Sequence, residues 1–320
     1  MIILRGDGNM ETGYGHVFRL LAIHSLLRDQ KALLITRCDN LKLIEKNKAQ
    51  GLEVISIPES VSFDDECNWI QDNDWFKPSS TTAFLDGYHF TTEYEKALKT
   101  QGCFVVTISD EPIREYASNA VINHGIQGIP HSYPHSNHLT YYFGFKYLLL
   151  RSDFFKKRQN TSSKKQVFVA FGGADPLGLT KTYVEWLDNL LPAEYQIVAL
   201  SKGNSSGGRI TFTYGLGTID MIHLMDESEF GVIASSTTAL EACARNLPII
   251  TGHFIDNQKN IYQSIVHNRC GVGLGEFQSC SFQQFSDELQ EVMIRKKEIS
   301  TQQANLFIDS SRALKTIITK

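Results

Sequence analysis

The chain has no C-x-x-C pair, no apolar run near the ~18 residues of a membrane span, and no excess of positive charge. Each absence narrows the function. The six cysteines (Cys38, Cys67, Cys103, Cys243, Cys270 and Cys280) are scattered, so they read as reduced thiols of a cytoplasmic protein rather than as a disulfide framework. A formal net charge of −4 gives no electrostatic reason to expect a nucleic-acid partner. The opening residues form a strand pattern carrying Arg5 and Asp7, which is not a signal peptide, and no membrane association is expected. Low-complexity tracts and short-period repeats are also missing.

What is present describes an ordinary globular enzyme, with 42% hydrophobic and 21% charged residues. At 320 residues, two domains of about 150 residues each are expected. Apolar strands alternate with helical patterns, the mark of parallel sheets covered by helices. In the first half the strands fall at 2–5, 32–36, 53–57, 82–86 and 103–109, with a helix over 16–29. The second half repeats the scheme at 166–171, 196–200, 230–234 and 248–251. Between the halves, KKRQNTSSKK is polar and suits an exposed connection, so the boundary is placed to give domains 1–155 and 156–320. The apolar-faced stretch 301–319 is expected to pack back on the first domain.

Four strand-to-helix junctions carry the chemistry. The first strand runs into a turn containing Gly6, Gly8, Gly13 and Gly15, with His16 where a helix begins. Open α/β sheets bind ligands beyond the carboxyl ends of their strands, and helix N-termini favour anions. In the second half, VFVAF ends in Gly172-Gly173-Ala174-Asp175-Pro176, a glycine turn that lets backbone approach a ligand. The strand FGVIA then ends in Ser235, Ser236, Thr237 and Thr238, hydroxyls that can cap a helix while its leading N–H groups hold phosphate. Glu241 lies one turn on, placed to accept hydrogen bonds from ribose hydroxyls. Asp256, Asn257 and Gln258 stand at the next junction. Together these point to a bound nucleoside diphosphate.

The order and spacing of these motifs resemble the nucleotide-sugar hydrolases of pseudaminic acid biosynthesis, which belong with the GT-B glycosyltransferase-like proteins. The likeness runs through R-x-D-G…G-x-G-H-V-x-R from Arg5 to Arg19, the D-x-Y of Asp86 and Tyr88, SDEP, VINHG, FGFKYLLLRSDF, FGGADP and the SSTTALE…LP…NQ block. The resemblance implies an α/β fold of two Rossmann-like domains facing a cleft, with UDP held mainly by the second. It implies that His16 activates water for inverting release of a 2,4-diacetamido-2,4,6-trideoxy sugar, with no metal and no cofactor. It also implies a sugar pocket lined by Tyr88, and nucleotide contacts from Gly172, Gly173, Ser235–Thr238, Glu241, Asn257 and Gln258. Gly13, Gly15, Asn123 and Arg151 are carried over as substrate contacts or as supports of the cleft wall.

Other roles stay open on the residues alone. Arg19, three positions after His16, contacts phosphate or pairs with a carboxylate. Asp7 orients His16 or bonds amides of the turn, the second being preferred. The chain departs from the family pattern at Asp110-Glu111, Asn119, His124, Asp153 and Gly178, positions that touch the sugar side. His131, His135 and His138 have helical metal-ligand spacing, but Pro134 argues for a loop. The rival readings are a UDP-sugar-dependent glycosyltransferase of the same fold and a nucleotide-sugar-binding protein without catalysis.

Overall fold

The computed structural model describes residues 1–10, 13–110, 115–126, 133–134, 137–158, 164–172, 175–203 and 208–318. The chain divides into two compact units, Met1–Ser152 with Asp309–Lys320, and Asp153–Ile308. The division lies three residues before the one expected from composition, and the chain's last segment belongs to the first unit.

In the first unit the elements are β1 (Ile2–Arg5), α1 (Gly15–Leu26), β2 (Ala32–Thr36), α2 (Leu41–Ala49), β3 (Glu53–Ser56), α3 (Glu66–Gln71), β4 (Thr82–Asp86), α4 (Thr92–Thr100), β5 (Phe104–Ile108), β6 (Ala120–Asn123) and β7 (Thr140–Phe143). The seven strands form one sheet in the order β3-β2-β1-β4-β5-β6-β7, every ladder parallel. β1, β2 and β4 are buried along their whole length, as strands covered on both faces must be, which is why they read as unbroken apolar runs. Strand order reverses at β1, whose neighbours are β2 and β4. Arg5 lies beside Leu85, so the turn after β1 and the Asp86–Tyr88 turn leave the same edge of the sheet. A reversal of this kind opens the crevice in which open α/β sheets hold ligands.

The second unit is built the same way from β8 (Gln166–Ala170), α5 (Leu179–Leu190), β9 (Gln196–Leu200), β10 (Ile210–Thr213), α6 (Thr218–Glu227), β11 (Phe230–Ala234), α7 (Thr237–Ala244), β12 (Ile249–His253), α8 (Lys259–His267), β13 (Val272–Glu276) and α9 (Phe282–Leu306). Its six parallel strands run β10-β9-β8-β11-β12-β13, with the reversal at β8 and β11. The core joins Val167, Val169 and Phe171 to Tyr183, Phe277 and Phe285.

Four strands, β6, β7, β10 and β13, were not anticipated. β7 and β10 are partly exposed and lack a continuous apolar run, and β13 carries two glycines in five residues. The expected helix over 301–319 is broken at Phe307: α9 ends in the second unit, and α10 (Ser311–Ile318) belongs to the first. There Ser310 Oγ donates to the Leu148 carbonyl at 2.5 Å, and Lys315 pairs with Asp29 at 2.8 Å.

Candidate active site

In the first unit the turn Gly6–Gly15 carries the chain from β1 to α1. Gly13 has φ +80°, a backbone conformation that favours glycine, and its N–H donates to the Asn9 carbonyl at 2.8 Å. The turn sets His16 in the first helical turn. Its Nδ1 lies 2.7 Å from Oδ1 of Asp86, the last residue of β4, whose side chain is fully buried. Arg19 Nη2 stands 3.0 Å from the same nitrogen, and we assign the proton to Nδ1 on the shorter, charge-assisted contact with the carboxylate. Nε2 is then the unprotonated nitrogen, free to act as a base.

Arg19 is enclosed by carboxylates. Nε donates to Asp86 Oδ2 at 2.8 Å, Nη2 to Asp86 Oδ1 at 2.7 Å, and Nη1 to Asp110 Oδ1 at 2.5 Å. Burial opposes its charge, but Asp110 and Asp86 outweigh burial and hold the guanidinium protonated. Burial likewise pushes the Asp110 carboxyl up, yet Arg19 overcomes it and keeps Asp110 below the usual carboxylate range. Tyr88, 57% exposed, donates to Asp110 Oδ2 at 3.3 Å and meets the His16 ring edge-on at 5.0 Å. Behind these groups His124 is buried. Burial, then the charge of Arg19, lowers it to about 4, and its Nδ1 accepts from Leu149 N at 3.0 Å.

The other first-unit residues take supporting places. Asp7 does not reach His16. It pairs with Arg5 and with His89 Nε2 at 3.3 Å, and accepts from Arg37 N at 2.7 Å, so it ties the turn to the end of β2. Asn123 is buried and donates to the Asp110 carbonyl (3.1 Å) and Tyr133 Oη (2.9 Å), while its Oδ1 accepts from Gly125 N (2.9 Å). Arg151 lies over the Phe18 ring at 5.7 Å. Gly15 is the first residue of α1, with open space where a Cβ would stand.

In the second unit Gly172 has φ +90°, while Gly173 lies outside the described residues. The start of α5 is not open to an anion, because Asp175 accepts from the backbone N–H groups of Leu179 and Thr180, each at 2.9 Å. α7 differs: Ser236 precedes it with extended backbone and makes no side-chain cap, and no acidic residue stands in its first turn. Ser236, Thr237 and Thr238 are half-buried there. Ser235 is fully buried, and its hydroxyl pairs with Thr251 Oγ1 at 2.8 Å, which takes it away from any ligand. Glu241 is buried, Asn257 is exposed, and Gln258 accepts from Phe254 N at 3.1 Å.

Sequence reasoning placed Asp86 and Asp110 only inside motifs and missed their roles. The D-x-Y at the end of a buried strand was the available signal for Asp86. For Asp110 the signal was the SDEP motif after the fifth strand, while its pairing with Arg19 depends on the register of β4 on β5. All six cysteines are free thiols. Among the described residues no group of His, Cys, Asp and Glu is arranged to hold a metal ion, and His131 and His135 lie outside them. No described helix is long and apolar enough to cross a membrane.

No family model matches the chain. An uncharacterised protein of Methanocaldococcus jannaschii is 24% identical over 284 residues, 80% of this chain and 56% of its own length. The chain thus spans about half the length of that curated relative. Among solved structures, Arabidopsis thaliana UGT89C1 complexed with UDP-L-rhamnose superposes with a TM-score of 0.66 at 9% identity, covering 99% of this chain and 97% of its own. CalG4, the calicheamicin glycosyltransferase, gives 0.56 at 11% identity, covering 100% and 98%. These likenesses establish the fold as GT-B, two Rossmann-like units. They also correct the expectation of a hydrolase of pseudaminic acid biosynthesis, because the fold matches are glycosyltransferases. The motifs misled for a physical reason. A glycine turn with a base, and a helix N-terminus for phosphate, serve any nucleotide-sugar chemistry regardless of what attacks the sugar.

Proposed function

We propose that the chain is a glycosyltransferase that uses a UDP-sugar donor. The observation that carries this reading is the His16–Asp86 pair at the strand-order reversal of the first unit, with Nε2 of the imidazole left as the base. His16 takes the proton of an acceptor hydroxyl as its oxygen attacks the anomeric carbon. The bond from that carbon to the diphosphate oxygen breaks, UDP leaves with the electron pair, and the proton passes from His16 to solvent. Attack opposite the leaving group inverts the anomeric centre. The phosphates are assigned to the uncapped start of α7, whose N–H groups offset developing negative charge. Ribose hydroxyls are assigned to Glu241, and further contacts with UDP to Asn257 and Gln258. The exposed ring of Tyr88 beside His16 suits an organic acceptor better than water alone.

The test incubates the protein with a panel of UDP-sugars, with and without sugar and aglycone alcohols, following UDP release and product mass. UDP release that depends on the acceptor, with a glycosylated product, is expected. Release to water at the same rate whether or not an acceptor is present, or no binding of UDP, overturns the reading.

A further inference from the structure

The start of α7 offers a diphosphate N–H groups and hydroxyls but no cation. We propose that His253, the last residue of β12, completes that site by holding the donor's diphosphate as an imidazolium, its proton taken from solvent as the ligand binds. The donor's identity as a UDP-linked sugar comes from the transferase reading, on which this assignment rests.

β12 lies beside β11 with Ala234 next to Gly252, so His253 stands level with Ser235, from which the chain turns into α7. Side chains alternate along a strand, which puts Thr251 and His253 on one face of β12. Thr251 meets the Ser235 hydroxyl on that face at 2.8 Å, while Ile250 faces the core on the other. The imidazole is therefore beside the start of α7, at the carboxyl ends of the strands, where open α/β sheets hold ligands.

Its surroundings hold the ring without using its nitrogens. Tyr262 of α8 meets it edge-on at 5.2 Å, and the Tyr262 hydroxyl accepts from Gly275 N at 3.0 Å. The charged neighbours are engaged elsewhere: Lys259 pairs with Asp256 at 2.6 Å, and Glu276 accepts from Ser279 at 3.0 Å. Among the described residues neither nitrogen of the half-buried His253 ring has a hydrogen-bond partner. Burial first, then the Lys259 charge, lowers its pKa, and Glu276 and Asp256 offset this only in part. In the free protein the ring is thus mainly neutral at pH 7. A diphosphate beside it reverses the balance, because its negative charge favours the protonated ring and makes the N–H to phosphate bond charge-assisted.

Titration calorimetry in buffers of different ionisation enthalpy counts the protons taken up on binding. The probe is the β-methyl ester of UDP, whose diphosphate does not itself titrate near neutral pH, with uridine as the control. At pH 7 wild type is expected to take up protons with the ester and none with uridine. Affinity for the ester should rise as pH falls from 8 to 6, since the bound state holds the extra proton. His253→Gln is expected to lose the uptake and the pH dependence, with affinity at pH 6 at least about tenfold weaker. Lys259→Met, which removes a charge but no group that titrates in this range, should keep the uptake.

Unchanged uptake in a folded His253→Gln variant overturns the proposal. If that variant does not fold, His253→Phe keeps a ring against Tyr262 and takes its place. In wild type alone, one histidine 13Cε1–1H resonance should move its titration midpoint upward with saturating ester, and the absence of any such rise overturns the proposal without a variant. Binding of the ester with no proton uptake removes His253 and leaves the transferase reading standing. If neither UDP nor its ester binds, that reading falls and the assignment of His253 falls with it.

Discussion

Asp86 and His16 meet at 2.7 Å across 70 residues of chain, and the contact exists because β1 and β4 are neighbours in the sheet. A buried carboxylate at the end of one strand orients an imidazole launched from the turn after the other. The remaining site residues take their roles from that pair.

Removing either partner should separate chemistry from binding. His16→Ala and Asp86→Asn are expected to lower kcat for transfer by about 10²–10⁴-fold. UDP affinity, measured by calorimetry, should stay within about twofold. An equal loss in UDP affinity would place the nucleotide against His16 rather than α7. Asp86→Ala should also lower stability by about 3–5 kcal/mol, because it strips the buried Arg19 of one counter-charge.

The start of α7 can be tested by deleting one N–H. Ser236 already has extended backbone (φ −132°, ψ −174°), the conformation proline requires of its predecessor, and Thr237 is the first helical residue. Thr237→Pro should therefore leave the helix intact while removing one N–H of the proposed phosphate site and a hydroxyl. Affinity for UDP is expected to fall about 10–100-fold, the worth of one charge-assisted hydrogen bond, while uridine binding is unchanged. Parallel calorimetric titrations of the two ligands decide it.

His124 should make stability depend on pH. Its pKa is lowered from the ordinary histidine value of 6.5 to about 4, by burial first and the Arg19 charge second. The unfolded chain therefore binds the proton more readily between these values. The contribution is fully present above about pH 6.5 and is lost as pH falls toward 4, a span of about 3 kcal/mol. His124→Asn keeps an acceptor near Leu149 N but cannot titrate. Urea unfolding from pH 7 to 4 should show a flatter profile in this variant; identical slopes would remove His124 as the cause.

Asp175 caps α5 from a left-handed backbone position, φ 36°. Asp175→Ala loses both cap bonds and adds strain, so a destabilisation of about 2–3 kcal/mol is expected. Asp175→Asn, which tolerates positive φ and keeps an acceptor oxygen, should cost well under half as much. The urea midpoints of the two variants provide the comparison.

Much of this was legible in the sequence because it is local. Buried parallel strands read as apolar runs, and β1, β2, β4, β9 and β11 stand where those runs lie. The glycine turn before His16 and the hydroxyl cluster before α7 announced themselves as strand-to-helix junctions. Strands with mixed exposure, such as β7, had no run to read.

The sequence by itself determined the α/β class, the junctions and the residue types available at them, since these follow from periodicity and turn chemistry within a few positions. Only the tertiary structure decided which partners meet. Strand order and register brought Asp86 and Asp110 to Arg19, turned Asp7 toward Arg5, and sank the Ser235 hydroxyl against Thr251. It also returned α10 to the first unit. Such pairings depend on which buried surfaces pack across long stretches of chain, and no local pattern encodes that choice.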